Sequence, residues 1–523
     1  MPTAVTGQIH PMAVAISCFA GFGGFLYGYD TGYISGVKEM PYWLSVFGQD
    51  DGTGTGTYTL PSGRASLVTS ILSAGTFFGA LAAHPIGDRL GRRWGIQVFL
   101  VAFYIGVALQ TGCKSIAGFA VGRVFAGLGV GGTSCLVPLY QAETAPRSIR
   151  GAIVAGYQWM ITIGLLIASC VVEGTKNNND ASCWQIPIGI QFIWAFILSV
   201  GLFFLPESPR WLLMRNREED ARRSLARICN AEVDSVVVNE EYAEIAANLH
   251  HERQIGATSW ADVFDMKGPG KNMLRTQTGI WLQAIQQLTG INFIFYYGTT
   301  FFQNSGISNA FLISIATNVV NMGATIPGMW AFDKFGRRAL LLWGAVLMMC
   351  AHFVVAAVGT GVSQDNEAGQ KALVAFVCIF VAVFAATWGP GAWVVTSEIY
   401  PTSIRAKCMA LSTASNWLWN FGIGYATPYL VDDKPGSAGL QSKVFFIWGG
   451  ACVIGIVFVY FFIPETHKLT LEQVDILYRN SSVLQSGKFR KQILAENMHD
   501  VETGGAAPEK DHVEAKAEHH QLE

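Results

Sequence analysis

The sequence predicts an all-α membrane protein: twelve transmembrane helices in two pseudo-symmetric six-helix halves, with further helices on one membrane face. Three observations carry this. Of 523 residues, 51% are hydrophobic and only 14% are charged, against about 25% charged in soluble domains. Uncharged apolar stretches repeatedly reach the ~20 residues that cross a hydrocarbon core as helix. Short motifs of the first half return in the second in the same order. The net charge of −2 gives no nucleic-acid signature. No nucleophile–base set or metal-ligand cluster stands out, so the chain does not read as an enzyme and no cofactor or metal is expected.

The spans fall near 11–33, 66–86, 96–113, 117–141, 150–172, 186–205, 276–302, 309–331, 339–360, 372–397, 406–430 and 444–463. Residues 1–29 contain no Asp, Glu, Lys or Arg. No basic region precedes the first apolar stretch and no cleavage site follows it, so it reads as a retained span after a short N-terminus, 1–10. The halves are then 11–205 and 276–463. Between them a polar insert, 206–275, includes "RNREEDARRSLARI" and reads as amphipathic helix on one face. The tail, 464–523, reads as a short helix followed by disorder.

Orientation follows the basic residues. Arg89, Arg92 and Arg93 follow span two, Arg147 and Arg150 follow span four, and the insert after span six is Arg-rich. Lys334, Arg337 and Arg338 follow span eight, and Arg405 and Lys407 follow span ten. Both termini are therefore expected in the cytoplasm, where the sequon at Asn480 would carry no glycan. Ten cysteines lie mostly in apolar segments without a CxxC. They read as small packing residues, with pairing among Cys113, Cys170 and Cys183 as the alternative.

The repeat is explicit. "DRLGRR" at 88–93 returns as "DKFGRR" at 333–338, "AETAPRSIRG" at 142–151 as "SEIYPTSIRA" at 397–406, and "PESPRW" at 206 as "PETHKL" at 464. Offsets of 245 to 258 residues make two six-span halves facing the same way. The motifs place Asp88, Arg92, Arg93, Glu143, Arg150, Glu207 and Arg210 on one face of the first half. Asp333, Arg337, Arg338, Glu398, Arg405 and Glu465 are their counterparts. They can exchange salt bridges between halves as that face closes, or simply signal topology by positive charge.

Taken in order with "QQLTGINFIFYY", these motifs resemble the sugar porter family of the major facilitator superfamily over about residues 11–475, in a fungal style. The resemblance implies a six-plus-six fold, intracellular helices, alternating access, and one central monosaccharide site between the halves near the bilayer midplane.

The amides fit that implication. Gln283, Gln286, Gln287 and Asn292 lie in span seven, Gln158 in span five, Asn321 in span eight and Asn416 in span eleven. Amides in lipid are costly and must face protein or a cavity. Each both donates and accepts, which suits the hydroxyls of a neutral polyol, and no charged cage argues for an ionic substrate. Any one alone is as well explained by helix–helix bonding. The resemblance assigns Gln158, Gln286, Gln287, Asn292, Asn321, Trp393 and Asn416 to sugar binding, with Gln283 a weaker match that lines the cavity. Thr289 and Gly290 weaken span seven, and Gly389 and Pro390, after Trp388, mark a flexible point in span ten. Tyr296 and Tyr297 are expected, on the resemblance, to close an outer gate; headgroup anchoring is the alternative.

Only a few charges remain inside spans, Asp30 and Arg123 among them. Asp30 lies 18 residues from Met12, and Arg123 lies 20 residues from Glu143. At about 1.5 Å per residue both sit roughly 27–30 Å from the inner face, level with each other. They form either a permanent bridge or a proton switch, since charges within a bundle are functional candidates by default. Family symporters carry the switch at the matching positions, although yeast facilitators also keep the Asp. Aligning the halves sets Gly298 opposite Asp30, Cys378 opposite Arg123 and Cys18 opposite Gln286, which suggests coupling in one half and sugar capture in the other. The expectation is a monomeric plasma-membrane hexose transporter, for glucose and in a wider reading xylose, driven by protons. Facilitated diffusion and a non-transporting sugar sensor are the alternatives.

Overall fold

The computed structural model describes residues 11–502, apart from 51–57, 146–149, 256–258, 267, 269, 305–308, 364–365, 402–403, 433–435 and 470. Within these it is almost entirely helical, with one antiparallel ribbon, Gln49–Asp50 on Tyr58–Thr59, in the connection after span one. Ten helical stretches are long and apolar enough to cross a membrane. They match the expected spans one to six, eight to ten and twelve. Spans seven and eleven are the exceptions, and both are present as helix: Asn272–Leu288 with Ile291–Asn304, and Arg405–Val431. Their hydropathy is lowered by the amides they carry. Twelve helical spans thus stand in the bundle, and span seven, the richest in amides, is one of the two least apolar.

Boundaries differ from expectation by a few residues. Span one runs on to Val37 and is interrupted at Gly21 between Pro11–Ala20 and Phe22–Val37. Span two is Ser62–Leu90, span four Ile116–Thr144 and span five Arg150–Thr175. Local chemistry explains several ends. Ser115 and Asn309 accept hydrogen bonds from the N–H groups of Gly118 and Leu312, satisfying orphan donors of the first turn. Span ten breaks at Thr387, between Glu367–Ala386 and Trp388–Ile399, just before Pro390, which has no N–H to continue the ladder.

Lipid-facing positions announce themselves as large exposed apolar side chains, such as Phe196, Phe204, Trp343 and Ile454. Inside, span two packs on spans four and eleven, span one on five, span five on eight, span seven on eleven and span nine on twelve. The two-on-eleven, five-on-eight and one-on-seven contacts join the halves.

The insert folds as Pro209–Met214, Glu218–Cys229 and Val236–Ile255, followed by a short 3-10 turn, Ala261–Phe264. Glu218, Glu219 and Asp220 open the second helix and Arg227 closes it, complementing the helix dipole. The tail departs from the single-helix expectation. Leu471–Asn480 and Ser486–Glu502 are both helical, because the first is anchored: Arg275, fully buried at the base of span seven, pairs with Asp475 and lies over Tyr478. Residues beyond 502 lie outside the described part. All ten cysteines, including Cys113, Cys170 and Cys183, are free.

Candidate functional site

Three constellations converge on the interface between the halves or lie at its ends. The first is a buried amide cluster. Asn416 Nδ2 donates to Gln283 Oε1 at 2.7 Å and to Gln286 Oε1 at 2.8 Å, and Gln287 Nε2 donates to Asn416 Oδ1 at 2.9 Å. Asn292 Nδ2 donates to Gln287 Oε1, which also accepts from Asn420 at 3.4 Å. Helical spacing explains the grouping: Gln283, Gln286 and Gln287 share one face at i, i+3 and i+4, and so do Asn416 and Asn420. Gln283 is therefore a full member of the cluster.

Both helix breaks border it. Gln286 Nε2 donates to the carbonyls of Trp388 and Gly389 at 2.9 and 3.0 Å, where span ten restarts. In span seven, Gly290 adopts φ +85°, and a Cβ there would lie 2.6 Å from the Trp448 ring. The chain therefore turns at this glycine against span twelve, and His352 Nε2, buried in span nine, hydrogen-bonds the Thr289 carbonyl at 2.9 Å. Gln158 comes from the other half; a Cβ on Gly389 would lie 3.7 Å from its Nε2. Asn321 and Trp393 are buried, but among the described residues no side-chain hydrogen bond joins them to the cluster. Tyr296 donates to Asn420 Oδ1 at 2.9 Å, and so does Ser73 of span two at 2.6 Å, tying the cluster across the halves. Tyr297 donates to the Gly424 carbonyl at 2.8 Å.

Such a cluster offers neutral donors and acceptors in a dry setting. Exchanging amide–amide bonds for amide–hydroxyl bonds costs little net free energy, so it can hand its partners to a hydroxyl-rich ligand.

The second constellation is the ion pair. Arg123 Nη1 stands 3.8 Å from Asp30 Oδ2, both side chains fully buried. This is longer than a hydrogen bond. The guanidinium bonds instead to Tyr33 Oη at 2.9 Å and the Val68 carbonyl at 3.2 Å, and Tyr33 donates to Gln110 Oε1 at 2.5 Å. Among the described residues neither Asp30 oxygen has a hydrogen-bond partner. The carboxylate is held by charge alone, so its protonation breaks no hydrogen bond.

The third lies at the Arg-rich end and is built twice. Arg92 Nη2 meets Glu143 Oε1 at 3.0 Å, and Arg337 Nη2 meets Glu398 Oε1 at 2.8 Å. Glu207 Oε1 accepts from the N–H of Arg92, and Glu465 Oε1 from that of Arg337, each at 3.0 Å. Gly91 and Gly336 make the turns at φ +95° and +91°, and a Cβ on either would lie about as close as 2.5 Å to the capping carboxylate. Only glycine allows both the conformation and the approach. Burial pushes the Glu207 carboxyl up, while the N–H groups of Ser208, Arg93 and Arg92 pull it down.

These pairs close within each half, which corrects the expected exchange between halves in this conformation. The Arg and its Glu sit on neighbouring helices of one repeat. Asp88 meets Arg92 at 3.3 Å, Arg93 donates to the Leu205 carbonyl, Arg338 to that of Tyr460, and Arg405 to that of Tyr400. Arg210 lies in Pro209–Met214. The side chains of Arg150 and Asp333 lie outside the described residues.

Reading the sequence missed Asn420, Tyr33, Gln110, Ser73 and His352. Asn420 was accessible as the i+4 neighbour of Asn416, and Tyr33 as the i+3 neighbour of Asp30. The others carry no local signal.

Comparison with known proteins agrees with this geometry. The profile of the family described as "Sugar (and other) transporter" matches residues 16–478. Major facilitator-type transporter ecdD of Aspergillus rugulosus is 49% identical over 486 residues, 91% of this chain and 89% of its own. High glucose sensor RGT2 of Saccharomyces cerevisiae is 43% identical over 92% of this chain and 63% of its own. Probable glucose transporter rco-3 of Neurospora crassa is 42% identical over 97% and 86%. Among solved structures, the proton:xylose symporter XylE bound to 6-bromo-6-deoxy-D-glucose superposes with a TM-score of 0.75 at 28% identity, covering 90% of this chain and all of that one. With the profile spanning nearly the whole chain and the twelve-helix fold shared, this protein belongs to the sugar transporter family of the major facilitator superfamily.

Proposed function

We propose that the protein carries a hexose, glucose foremost and xylose as a second substrate, across the plasma membrane by alternating access, coupled to protons. The observation that carries this is the amide cluster: neutral donors and acceptors from spans seven and eleven, buried between two helix breaks. In this reading Gln158, Gln286, Gln287, Asn292, Asn321, Trp393 and Asn416 take the sugar, and Asp30 with Arg123 takes the proton. Tyr296 and Tyr297, with the Gly389–Pro390 break, gate access. The repeated Arg–Glu motifs brace the cytoplasmic face of each half, and both termini are cytoplasmic, as the basic loops favour. The halves are 11–205 and 276–463, the chain works as a monomer, and no covalent step or cofactor is needed.

Relatives support both transport and sensing. Low-affinity glucose transporters HXT1 and HXT3 of Saccharomyces cerevisiae are each 37% identical over 90% of this chain, and RGT2 is the specific reason to keep a sensor as the second reading. Labelled-glucose uptake in transporter-deficient yeast, with competing sugars, varied pH and a protonophore, separates them. Concentrative uptake abolished by the protonophore supports symport. Uptake that only equilibrates means facilitated diffusion, and no uptake of any monosaccharide by correctly localised protein overturns transport.

A further inference from the structure

At the end of the bundle opposite the Arg clusters, the last turn of span one and the turn that follows it grip the second segment of span seven. Ser35 Oγ meets Thr299 Oγ1 at 3.2 Å, and Glu39 Oε1 accepts from Thr300 Oγ1 at 2.5 Å. Between them Lys38, only 2% exposed, sets its Nζ 3.4 Å from the centroid of the Tyr297 ring. That ring is fixed from the other side by its hydroxyl, which donates to the Gly424 carbonyl of span eleven. The contact therefore bridges the two halves.

We infer that Lys38 is the latch of the outer gate, holding it closed by seating its ammonium on Tyr297. A buried ammonium is costly unless something replaces its water, and an aromatic face is one such replacement. The ring belongs to the other half, so this contact exists only while the halves are together. When they part, the ammonium leaves the ring, and the closed form alone keeps this contact. Lys38 is a positioning residue: it acts through Tyr297 and touches no reacting group. The inference rests on the transport reading for the meaning of "outer gate", but the contact itself can be tested without any sugar.

Thr317, buried in span eight, lines the small cavity at this seam, and a cysteine there reports opening to an impermeant thiol reagent added outside. Rates are compared with the same chain lacking that cysteine. With Thr317→Cys as the reporter, Lys38→Gln is expected to speed labelling several-fold and Lys38→Arg to leave it near the parent rate. The effect of Lys38→Gln should persist with Tyr297→Phe, which keeps the ring, and vanish with Tyr297→Leu, where labelling is already fast. In transport, Lys38→Gln should lower the external half-saturation concentration and turnover together, because the open form is more populated and closes less readily. Unchanged labelling in Lys38→Gln, or an equal added effect on Tyr297→Leu, overturns the latch. Labelling that follows the expected pattern in a protein that moves no sugar keeps the latch and rejects the transport reading.

Discussion

Asp30 and Asn416 show how one side chain acquires meaning from its neighbours. The Asp30 carboxylate has Arg123 at 3.8 Å and no hydrogen bond, so the proton-switch reading makes a sharp expectation. Asp30→Asn should abolish proton-driven accumulation while sugar exchange across the membrane continues. Accumulation against a gradient in that variant, measured with labelled sugar, removes Asp30 from coupling. Asn416 is the hub of the amide cluster, with bonds to Gln283, Gln286 and Gln287. Asn416→Ala should raise the half-saturation concentration about tenfold or more, ~1.4 kcal/mol of lost binding, and also lower the Tm of the purified protein, because it leaves buried glutamine groups unpaired. A normal half-saturation would place the sugar elsewhere.

Among elements, spans seven and ten matter because each is interrupted beside the cluster. Span seven turns at Gly290, braced by the Trp448 ring and by His352 on the Thr289 carbonyl. A methyl group there meets an aromatic wall and a disfavoured φ. Gly290→Ala should destabilise the purified protein by about 1–3 kcal/mol and slow turnover, read by thermal unfolding in detergent and by uptake. Unchanged melting would mean that span seven can straighten at no cost. Spans seven and eleven fall short in hydropathy because of the polar side chains they bring to the cluster: the elements that carry the polar site are the least membrane-like.

For the whole molecule, the duplicated motifs form two matching braces. Arg92 with Glu143 and Glu207 in one half repeats as Arg337 with Glu398 and Glu465 in the other. Since each pair closes within its half, Arg92→Glu should cost about 3–5 kcal/mol by leaving like charges buried side by side. Adding Glu143→Arg should recover much of the folded yield, and adding Glu398→Arg should not. Gel filtration of the expressed protein checks this, and rescue by the second swap would show instead that the motifs pair across the halves.

Much of this was legible along the chain. Span number, the internal repeat and the level heights of Asp30 and Arg123 depend on hydropathy, spacing and helix rise, which are local and additive. The amides of span seven were visible for the same reason, since four of them in one apolar helix demand a polar neighbour. What could not be read were partners brought together over long sequence distances. Gln110 on Tyr33, His352 on the span-seven break, Ser73 on Asn420, and Lys38 on Tyr297 all depend on how helices from different parts of the chain pack. The Arg–Glu motifs make the same point: their residues were plain in the sequence, but whether they pair within or between halves is a matter of side-chain reach after packing, which spacing alone does not encode.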